Sequence, residues 1–489
     1  MLNKWKQTIS KFVCFVLTCQ LFILTTWAKP DWPSDTGIMA EAGIVMDMDS
    51  GAILYGQNIH LTYPPASITK ILTALIVLEN CNLDDTVTFS TTAVNQVEAD
   101  SGNKISVVAG DQLSVEDCLY SMLLVSCNQA ANALAEHTAG SISAFVNMMN
   151  EKLAQLGCQE SHFENPSGLN GDNQYVSAYD MALIAQAAYD NETLVEISSA
   201  TTHKIAPTTQ NPDGFTIRGE HRLCVTEDPS SPYYYPEAVA GKTGYLIKAG
   251  NTLVTYAVKD NRRLISVILK GQPRQYFVDG KALLEFGFRS FQDYTVADYE
   301  SRYVTGNETI NLDKGSFQAS DLMIDPDSVI TLPNSASFED ADITLGALPE
   351  ISPDNAVALL TYSYNDRTIG TAYLLAKDGV TIDGNDSASE AATTAFDTAN
   401  AEAPLATASN AEKPQRPHKH ISVAGVLITI LIVLLVLGVI GLISWFIYSK
   451  KKEAKALAKR RERRRQRLQR SGDEEEFERL LEEYKNKKK

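Results

Sequence analysis

Hydrophobic and polar residues alternate in two segments that lie far apart in the chain. Residues 42–58 (AGIVMDMDSGAILYGQN) and 251–271 (NTLVTYAVKDNRRLISVILKG) each contain two alternating runs around a polar turn, which predicts two β-hairpins. Between them, apolar residues recur at helical spacing in segments 67–79, 114–127, 128–139, 141–157 and 177–190. Four of these segments begin with a serine that could cap a helix, namely Ser67, Ser114, Ser141 and Ser177. Hairpins at both ends of a helical region predict one antiparallel sheet built from the two ends, an α+β fold.

The pattern changes after residue 290. From 291 to 378 the chain consists of short alternating runs, and residues 356–378 (AVALLTYSYNDRTIGTAYLLAKD) have the form of a further hairpin. These runs predict a small all-β domain that follows an α+β domain at 29–290. Residues 379–420 are mainly Ala, Ser, Thr, Asp and Pro without apolar periodicity, which predicts a disordered stalk.

The two ends of the sequence have the patterns of membrane targeting. Residues 1–28 place three lysines before an apolar run that ends at a small residue, which is typical of a secretory signal peptide. Residues 421–448 form an uncharged run longer than the roughly 20 residues with which a helix crosses a bilayer. Residues 449–489 contain 17 basic and 9 acidic residues, and the positive-inside rule assigns this tail to the cytoplasm. We expect a single-pass protein of the cell membrane, anchored by one helix, with the α+β domain outside the cell.

Composition narrows the classes of partner and cofactor. The 489 residues have a formal net charge of −17, and because both ends are basic, the region between them is strongly acidic and poorly suited to nucleic acid. The seven histidines show no HExxH or comparable pairing, so we predict neither a metal site nor a zinc peptidase, and no cofactor. Five cysteines follow the signal peptide, at spacings typical of neither a disulfide framework nor a zinc site, and we interpret most of them as small core residues. They are Cys81, Cys118, Cys127, Cys158 and Cys224.

Candidate chemistry begins with a Ser-x-x-Lys pattern, which occurs three times. Ser67–Lys70 combines the start of a predicted helix with a position outside the cell, whereas Ser101–Lys104 lies in a polar loop and Ser449–Lys452 lies in the tail. On a helix, positions i and i+3 share one face, so the amine of Lys70 can reach the hydroxyl of Ser67. A serine nucleophile requires such a neighbouring base.

A protonated lysine cannot accept the serine proton, so a second cation nearby would help by lowering the pKa of Lys70. The segment 239–254 (VAGKTGYLIKAGNTLV) supplies Lys242, Thr243 and Gly244 on a predicted strand. The glycine would allow a substrate backbone to approach closely.

A Ser-x-Asn pair would add a hydroxyl to relay a proton and an amide to hold a peptide carbonyl. Ser101 and Asn103 lie in a polar loop, whereas Ser126 and Asn128 lie between two apolar helical segments. Because a preorganised site belongs on rigid elements, we select Ser126 and Asn128.

With these three motifs in order, the chain resembles the low-molecular-weight penicillin-binding proteins, the serine-type D-Ala-D-Ala carboxypeptidases that trim peptidoglycan stem peptides. The resemblance extends to YPPASITKILTAL, HFENPSGLNG, SAYDMALIAQAA and ALLEFGF and spans about residues 37–288. It implies a bacterial enzyme with the DD-peptidase/β-lactamase-like fold, acting on stem peptides that end in D-Ala-D-Ala. It also implies covalent inhibition by β-lactam antibiotics.

The resemblance also implies roles for individual residues. Ser67 would attack the carbonyl between the last two D-alanines, and Lys70 would take its proton. Ser126 and Lys242 would pass a proton to the departing D-alanine. Asn128 would hold a substrate amide.

The remaining implied roles concern the strand after Lys242. Thr243, together with Lys242, would face the terminal carboxylate, and Gly244 would lie against the substrate. The backbone N–H groups of Ser67 and Tyr245 would form the oxyanion hole.

The sequence departs from the family at one substrate-binding position. Relatives often have an arginine after the last hairpin, where this chain has GQPRQYF and aligns Tyr276. We expect Arg274 to be the substitute, because two residues along a strand return to the same face. Tyr276 itself is the alternative contact.

Two other functions remain open at this point. A class A β-lactamase would share the three motifs and add a glutamate that activates water, for which Glu164, with Asn170 nearby, is the candidate, at a looser spacing. A non-catalytic receptor or scaffold could keep the fold to bind wall peptide and use the basic tail for a partner, although binding alone requires no nucleophile with its base.

Overall fold

The computed structural model describes residues 29–34, 36–98, 101–349 and 351–382. The predicted signal peptide, transmembrane helix and tail lie outside the described residues, as does the predicted stalk from residue 383 onward. Within the described ranges, none of the helices combines the length and the apolar character that crossing a bilayer requires.

The predicted antiparallel sheet is confirmed, and it joins both ends of the region 42–271. The strands are β1 Ala42–Asp47, β2 Ile53–Gln57, β3 Thr62–Tyr63, β4 Thr86–Thr88, β5 Gln112–Ser114, β6 Val176–Ser177, β7 Thr202–Ile205, β8 Phe215–Arg218, β9 Ala238–Leu246, β10 Gly250–Lys259 and β11 Arg262–Gly271. Five of them form the sheet in the order β2-β1-β11-β10-β9, with β1 antiparallel to β11. The order leaves β9 at one edge, so one side of this strand is available to a ligand.

Both predicted hairpins of this region are present. The turn between β10 and β11 is formed by Asp260 and Asn261, whose φ angles are 50° and 65°. Aspartate and asparagine tolerate this left-handed conformation better than other side chains, and it matches the twist of paired strands. The polar turn predicted at these two residues is therefore confirmed.

The helices lie mainly between the two hairpins. Their bounds are α1 Lys70–Asn80, α2 Thr91–Asn95, α3 Val115–Leu124, α4 Asn128–Ala139, α5 Ile142–Gln155, α6 Ala178–Tyr189, α7 Glu192–Ser199, α8 Arg222–Val225, α9 Gln275–Ser290 and α10 Val296–Tyr299. Ser114, Ser141 and Ser177 cap α3, α5 and α6 through side-chain hydrogen bonds, as predicted. Ser67, which could also have capped a helix, does not cap α1. Ser67 lies inside a 3₁₀ turn, Ala66–Thr69, that leads into α1, and no side-chain capping bond forms there.

The sheet is buried on both faces. Along β1, Ile44 and Met46 pack into a cluster with α1 and α6, whereas Val45 packs on the other face with residues of α9. Alternate residues of a strand point to opposite faces. Because both faces of this strand are buried, both sets of residues are apolar and the strand is a continuous hydrophobic run. The sheet is therefore held between two helical layers.

Residues 291–376 form mainly strands and have a hydrophobic cluster of their own. The strands are β12 Phe291–Thr295, β13 Thr309–Leu312, β14 Gly315–Gln318, β15 Leu322–Ile324, β16 Val329–Pro333, β17 Asp342–Gly346, β18 Ala356–Tyr364 and β19 Arg367–Ala376. β15, β19, β18 and β17 form a four-stranded sheet in that order, and β18 with β19 is the predicted hairpin. The division into domains at residue 290 stays a prediction.

Two groups of contacts join this region to the first sheet. Arg262 donates to Asp47 at 3.0 Å and to Asp293 at 2.8 Å, so one guanidinium links β1, β11 and β12. Trp32 packs against Phe291 with ring centroids 4.9 Å apart, and its indole N–H donates to the carbonyl of Leu54 at 2.9 Å.

Candidate active site

The 3₁₀ turn that contains Ser67 is held from both sides. Ala66 has a φ of 53°, which is unusual for a residue with a side chain, and its carbonyl accepts a hydrogen bond from Thr69 Oγ1 at 2.9 Å. On the other side, Thr252 Oγ1 of β10 donates to the carbonyl of Pro65 at 2.9 Å. These bonds fix the backbone on which Ser67 is carried, and such over-determined backbone is typical of functional sites.

Lys70 begins α1 directly after this turn, and its amine lies among three oxygen atoms. Nζ is 3.0 Å from Ser67 Oγ and 2.8 Å from Asn128 Oδ1, and it also donates to the carbonyl of Ser167. The side chain is fully buried. The structure therefore brings Ser67, Lys70 and Asn128 together as one hydrogen-bonded group.

The loop that contains Ser167 supplies a part of the site that the motif analysis missed. Asn165 Oδ1 accepts from the N–H of Gly168 at 2.8 Å, and Thr73 Oγ1 of α1 donates to the carbonyl of Pro166 at 2.7 Å. Gly168 has a φ of 82°, and a Cβ atom there would lie 1.8 Å from the carbonyl oxygen of Ala66. This glycine lets the loop reach Lys70. This segment (HFENPSGLNG) is one of those that resemble the family. Its residue types, however, do not indicate that the backbone carbonyl of Ser167 would accept a hydrogen bond from Lys70.

Lys242 is the second lysine of the site. It lies on the edge strand β9, is 1% exposed, and donates to the carbonyl of Thr243 at 3.0 Å. Burial lowers the pKa of Lys242 to about 8. Burial also lowers the pKa of Lys70 well below its usual range, and the positive charge of Lys242 lowers it further. At neutral pH Lys242, with a pKa of about 8, is mainly protonated, and its charge shifts Lys70 toward the neutral form.

Gly244 lies against the serine turn itself. A Cβ atom at this position would lie 2.4 Å from Thr252 Oγ1 and 2.8 Å from the backbone nitrogen of Ser67. The approach of a substrate backbone to this glycine stays a prediction, and within the structure the missing side chain lets β9 pack against the turn. The next residue, Tyr245, is 63% exposed and lines the same cavity as Ser67.

Ser126 and Asn128 lie where α3 ends and α4 begins. Ser126 has a φ of 62° and lines the same cavity as Ser67 and Asn128. Within the described residues, no hydrogen bond joins its hydroxyl to Lys70 or Lys242. Between the two, Cys127 caps α4 by accepting from the N–H of Ala130, so the rigid mounting predicted for this pair is present.

Ser67, Ser126 and Asn128 border one cavity of about 710 Å³ along β9, whereas the buried Lys70 and Lys242 are not among its lining residues. Its lining comprises Ser67, Glu98, Ser101, Lys104, Ser126, Asn128, Gly168, Leu169, Asn170, Glu220, Arg222, Thr243, Gly244, Tyr245, Leu246, Ile247, Lys248, Tyr276 and Phe277. Among the described residues, no three His, Cys, Asp or Glu side chains come together as a metal site would require.

Arg274 does not lie where the sequence analysis expected. It is an exposed residue directly before α9, not on a strand, and it is absent from the cavity lining. The prediction for Arg274 is wrong because α9 begins at Gln275, so a step of two residues does not return to the same face as it would on a strand. Tyr276, the alternative, lines the cavity, and so does Arg222, which the sequence analysis did not consider.

The rejected Ser101–Lys104 segment also reaches the cavity. Ser101 Oγ donates to the carbonyl of Glu98 at 2.7 Å, and Lys104 forms an ion pair with Glu220 at 3.4 Å. All four residues line the cavity, and the Ser101 and Lys104 side chains are engaged in these two separate contacts. They border the site without reaching the Ser67–Lys70 pair.

Glu164, the candidate water-activating glutamate, lies outside this cavity. It lines a second recess, where its carboxylate would be 2.2 Å from a Cβ atom placed on Gly171. Asn170 lines both spaces and donates to Glu98 through its backbone and side chain, at 2.8 Å each. Glu164 is therefore not positioned beside Ser67 as a class A β-lactamase would require.

All five cysteines predicted to follow the signal peptide are free. Cys118, Cys127 and Cys158 are buried, in agreement with their interpretation as core residues, and Cys81 and Cys224 are half-buried. Cys224 Sγ lies 3.3 Å from His221 Nδ1, but burial raises the pKa of this thiol far above its usual range, so the pair is not an activated nucleophile.

Comparison with known proteins gives consistent matches over this region. Residues 29–272 match the sequence family described as D-alanyl-D-alanine carboxypeptidase. The chain is 34% identical over 265 residues to D-alanyl-D-alanine carboxypeptidase DacB2 of Mycobacterium tuberculosis, covering 53% of this chain and 84% of that protein. It is 31% identical over 354 residues to DacA of Haemophilus influenzae, covering 69% and 84%. Among solved structures, a mutant of the Streptomyces K15 DD-transpeptidase aligns with a TM-score of 0.47 and 26% identity, over 52% of this chain and 98% of that one.

Proposed function

The chain belongs to the D-alanyl-D-alanine carboxypeptidase family, and we propose that Ser67 is the residue this enzyme acylates. The protein is a serine-type D-Ala-D-Ala carboxypeptidase, which removes the terminal D-alanine from peptidoglycan stem peptides and is inhibited by β-lactams. The observation that supports Ser67 most strongly is its position 3.0 Å from the amine of the buried Lys70.

The hydrogen bonds of Lys70 support its role as the base. A neutral amine has two N–H donors and one lone pair. Asn128 Oδ1 and the carbonyl of Ser167 accept the two N–H groups, which leaves the lone pair for the hydroxyl of Ser67. After Lys70 has taken that proton, the ammonium has three donors for the same three oxygen atoms. Both protonation states of the base are therefore satisfied without movement of the side chain.

The attack forms a bond between Ser67 Oγ and the carbonyl carbon of the scissile peptide. The negative charge that develops on the carbonyl oxygen would be stabilised by the N–H groups of Ser67 and Tyr245. The packing of Gly244 against the nitrogen of Ser67 supports this pairing of donors, because it brings β9 to the serine turn.

The carbon–nitrogen bond then breaks, and the amine of D-alanine leaves with a proton passed through Ser126 and Lys242. Lys242 is suited to this relay because its pKa of about 8 lies near neutral pH. Thr243 borders the leaving side of the cavity, and Asn128 Nδ2 is available to a substrate carbonyl. Water finally hydrolyses the ester on Ser67 and releases the shortened peptide.

The position of Glu164 argues against the β-lactamase alternative, because this carboxylate faces Gly171 in a separate recess. The scaffold alternative would not require a nucleophile with a base whose pKa is lowered. Neither alternative is supported by a feature of the described residues.

We also propose the organisation predicted for the rest of the chain. Residues 291–378 have a hydrophobic cluster of their own, which supports the proposal that they form a small β domain. The sequence pattern supports a signal peptide at 1–28, a stalk at 379–420, a transmembrane helix at 421–448 and a cytoplasmic tail. The catalytic domain would then face the cell wall. Protease treatment of intact cells tests this topology, because a tag after residue 489 should be protected and the catalytic domain should be cleaved.

The carboxypeptidase function is tested by incubating the full chain with a peptide substrate and with benzylpenicillin and measuring what happens to each compound. An N-acylated peptide ending in D-Ala-D-Ala should release D-alanine, and Ser67→Ala should abolish the release. Benzylpenicillin should inhibit the release and be consumed only stoichiometrically. Rapid catalytic destruction of the drug would instead indicate a β-lactamase, and inertness toward both compounds would leave the scaffold alternative.

A further inference from the structure

A second recess adjoins the active-site cavity at the loop that contains Ser167. The recess has a volume of about 440 Å³ and shares Glu98, Leu169 and Asn170 with the cavity. Ser167 lines the recess, and its backbone carbonyl accepts a hydrogen bond from Lys70. The recess is therefore contiguous with the cavity and lies against the loop that holds the catalytic base.

The two spaces differ in the charges of their walls. The cavity has three basic residues, Lys104, Arg222 and Lys248, besides its acidic ones. Among the described residues that line the recess, none is Lys, Arg or His, and the charged side chains are those of Glu98 and Glu164. Such a wall favours a cation. Because no third carboxylate, His or Cys joins these two in the described part of the chain, an organic cation fits the recess better than a metal ion.

The carboxylate of Glu164 has no partner among the described residues, although the residue is half-buried. Its hydrogen bond to Gln174 Oε1, at 3.0 Å, is donated by the backbone N–H and leaves the side chain unpaired. Gly171 makes room for the carboxylate, since a Cβ atom there would lie 2.2 Å from one of its oxygen atoms. A partly buried carboxylate is costly unless an opposite charge or a hydrogen-bond donor compensates it, so Glu164 is suited to a cationic ligand.

Two further acceptors border the recess. Asn132 is 2% exposed, and its Nδ2 donates to two backbone carbonyls, while its Oδ1 accepts no hydrogen bond from a described residue. Glu98 accepts both bonds from Asn170 through Oε1, which leaves Oε2 without a donor among the described residues. A primary ammonium group has three N–H donors. The recess therefore offers it acceptors on Glu164, Asn132 and Glu98.

The position of the loop along β9 identifies the part of the substrate that is near the recess. Residues 168–171 share a small cleft with Leu246 and Lys248. Leu246 and Lys248 follow Tyr245 in the chain, whereas Lys242, which serves the leaving D-alanine in the proposed function, precedes it on β9. The recess is therefore on the side of the retained peptide.

We propose that the recess binds a side-chain ammonium group of the retained peptide, with Glu164 as its ion-pair partner and Asn132 Oδ1 as a second acceptor. The penultimate D-alanine is the residue that becomes attached to Ser67, so the ammonium group belongs to the residue before the two D-alanines. The proposal rests on the proposed function, since it assigns a specificity subsite of the same reaction. It makes Glu164 a residue that selects peptides with a free side-chain amine.

The experiment compares two peptides that both end in D-Ala-D-Ala as the free acid. One has lysine before the two D-alanines, and the other has Nε-acetyl-lysine. For the full chain, kcat/KM should be higher for the free amine. In Glu164→Gln this preference should fall by about 10-fold, the lower end for a hydrogen bond to a charged group, mainly through a rise in KM for the free amine. Glu164→Asp keeps the charge and should recover part of the preference.

Glu151→Gln is the matched control, because this glutamate is an exposed residue of α5 that lines neither space, and its preference should equal that of the unmodified chain. An unchanged preference in Glu164→Gln would overturn the proposal, as would equal kcat/KM values for the two peptides in the unmodified chain. Equal losses for both peptides in Glu164→Gln would also overturn it, because they would indicate a structural role. Failure of the proposed function is distinguishable, since the unmodified chain would then cleave neither peptide.

Discussion

The amine nitrogen of Lys70 lies 3.0 Å from the hydroxyl oxygen of Ser67, on a side chain that is fully buried. A buried lysine loses hydration, which favours its neutral form, and a protonated Lys242 nearby adds repulsion in the same direction. Both effects favour the neutral amine, which is the form that can accept the serine proton. A solvent-exposed lysine would be protonated at neutral pH and could not act as this base. Activation of Ser67 depends on this contact with Lys70.

Replacing Lys70 with arginine tests the requirement for a neutral base. A guanidinium keeps the positive charge and can still donate hydrogen bonds, but it does not lose its proton in a protein. We expect Lys70→Arg to lower the rate of Ser67 acylation by about 10²–10⁴-fold, the range of general base catalysis. Stopped-flow acylation by a chromogenic β-lactam measures this rate, and a loss of less than about tenfold would contradict the role of Lys70.

The pKa of Lys242 predicts how activity depends on pH. Loss of its proton removes the charge that lowers the pKa of Lys70, so kcat/KM should decrease as the pH rises through about 8. Lys242→Arg stays protonated, and its residual activity should show no decrease near that pH. A pH profile from 6 to 10 measures both, and an identical alkaline limb in the variant would assign the decrease to another group.

The same lysine affects stability at high pH. Its pKa is lower in the folded chain than the usual value of 10.5, so the unfolded chain binds more protons between about pH 8 and 10.5. The unfavourable contribution of the buried charge is therefore relieved as the pH rises through this window. Relative to Lys242→Met, the free energy of unfolding of the unmodified chain should increase there, which denaturant titrations at several pH values measure.

The close packing of Gly244 predicts a strong effect of one added methyl group. Gly244→Ala places a Cβ atom 2.8 Å from the backbone nitrogen of Ser67, so β9 or the serine turn must shift. We expect a loss of about 10²-fold in acylation and of about 1–3 kcal/mol in the free energy of unfolding. In the control Gly346→Ala, the nearest atom is the carbonyl oxygen of Leu359 at 3.7 Å, and both quantities should stay unchanged. Similar behaviour of the two variants would show that the packing at Gly244 is not critical.

Arg262 predicts a pH-dependent effect on stability. Burial and the charge of Asp293 raise the pKa of Asp47 to about 6, and Arg262 opposes this rise. Arg262→Met leaves two carboxylates without their cation, which should lower the free energy of unfolding by about 3–5 kcal/mol at pH 8. The loss should be smaller at pH 5, where Asp47 can be protonated.

Arg263 provides the matched comparison for this effect. It is a partly exposed neighbour that pairs with Asp49 and Asp190, and exposed ion pairs contribute about 0–1 kcal/mol. Arg263→Met should therefore lower the free energy of unfolding by no more than that amount at either pH. Equal losses in the two variants would mean that burial of the Arg262 network is not what matters.

The sequence predicted the sheet well because the hairpins carry strong local information. The alternation in residues 251–271, with Asp260 and Asn261 between the two runs, specifies register and turn together. The choice of Ser126 and Asn128 over Ser101 and Asn103 also followed from apolar flanks, and in the structure Asn128 begins α4 while Ser126 lies in the turn between α3 and α4. Local pattern was sufficient for the sheet and for the position of this pair between two helices.

Other features depend on contacts between distant segments. Ser67 has the residue type and position of a helix cap, but Thr252 and Gly168 fix it inside a 3₁₀ turn instead. Arg222 reaches the cavity through the packing of a four-residue helix against β9 and β10, for which the sequence has no motif. Arg274 failed as a prediction because the helix start at Gln275 could not be located from alternation alone.

The most direct test of the account is the intact mass of the purified full chain during a time course with benzylpenicillin. We expect an adduct of one drug mass that persists for many minutes, maps to the peptide containing Ser67, and is absent in Ser67→Ala. An adduct of the same mass in Ser67→Ala, or one mapped to another residue in the unmodified chain, would contradict the assignment of Ser67 as the acylated nucleophile.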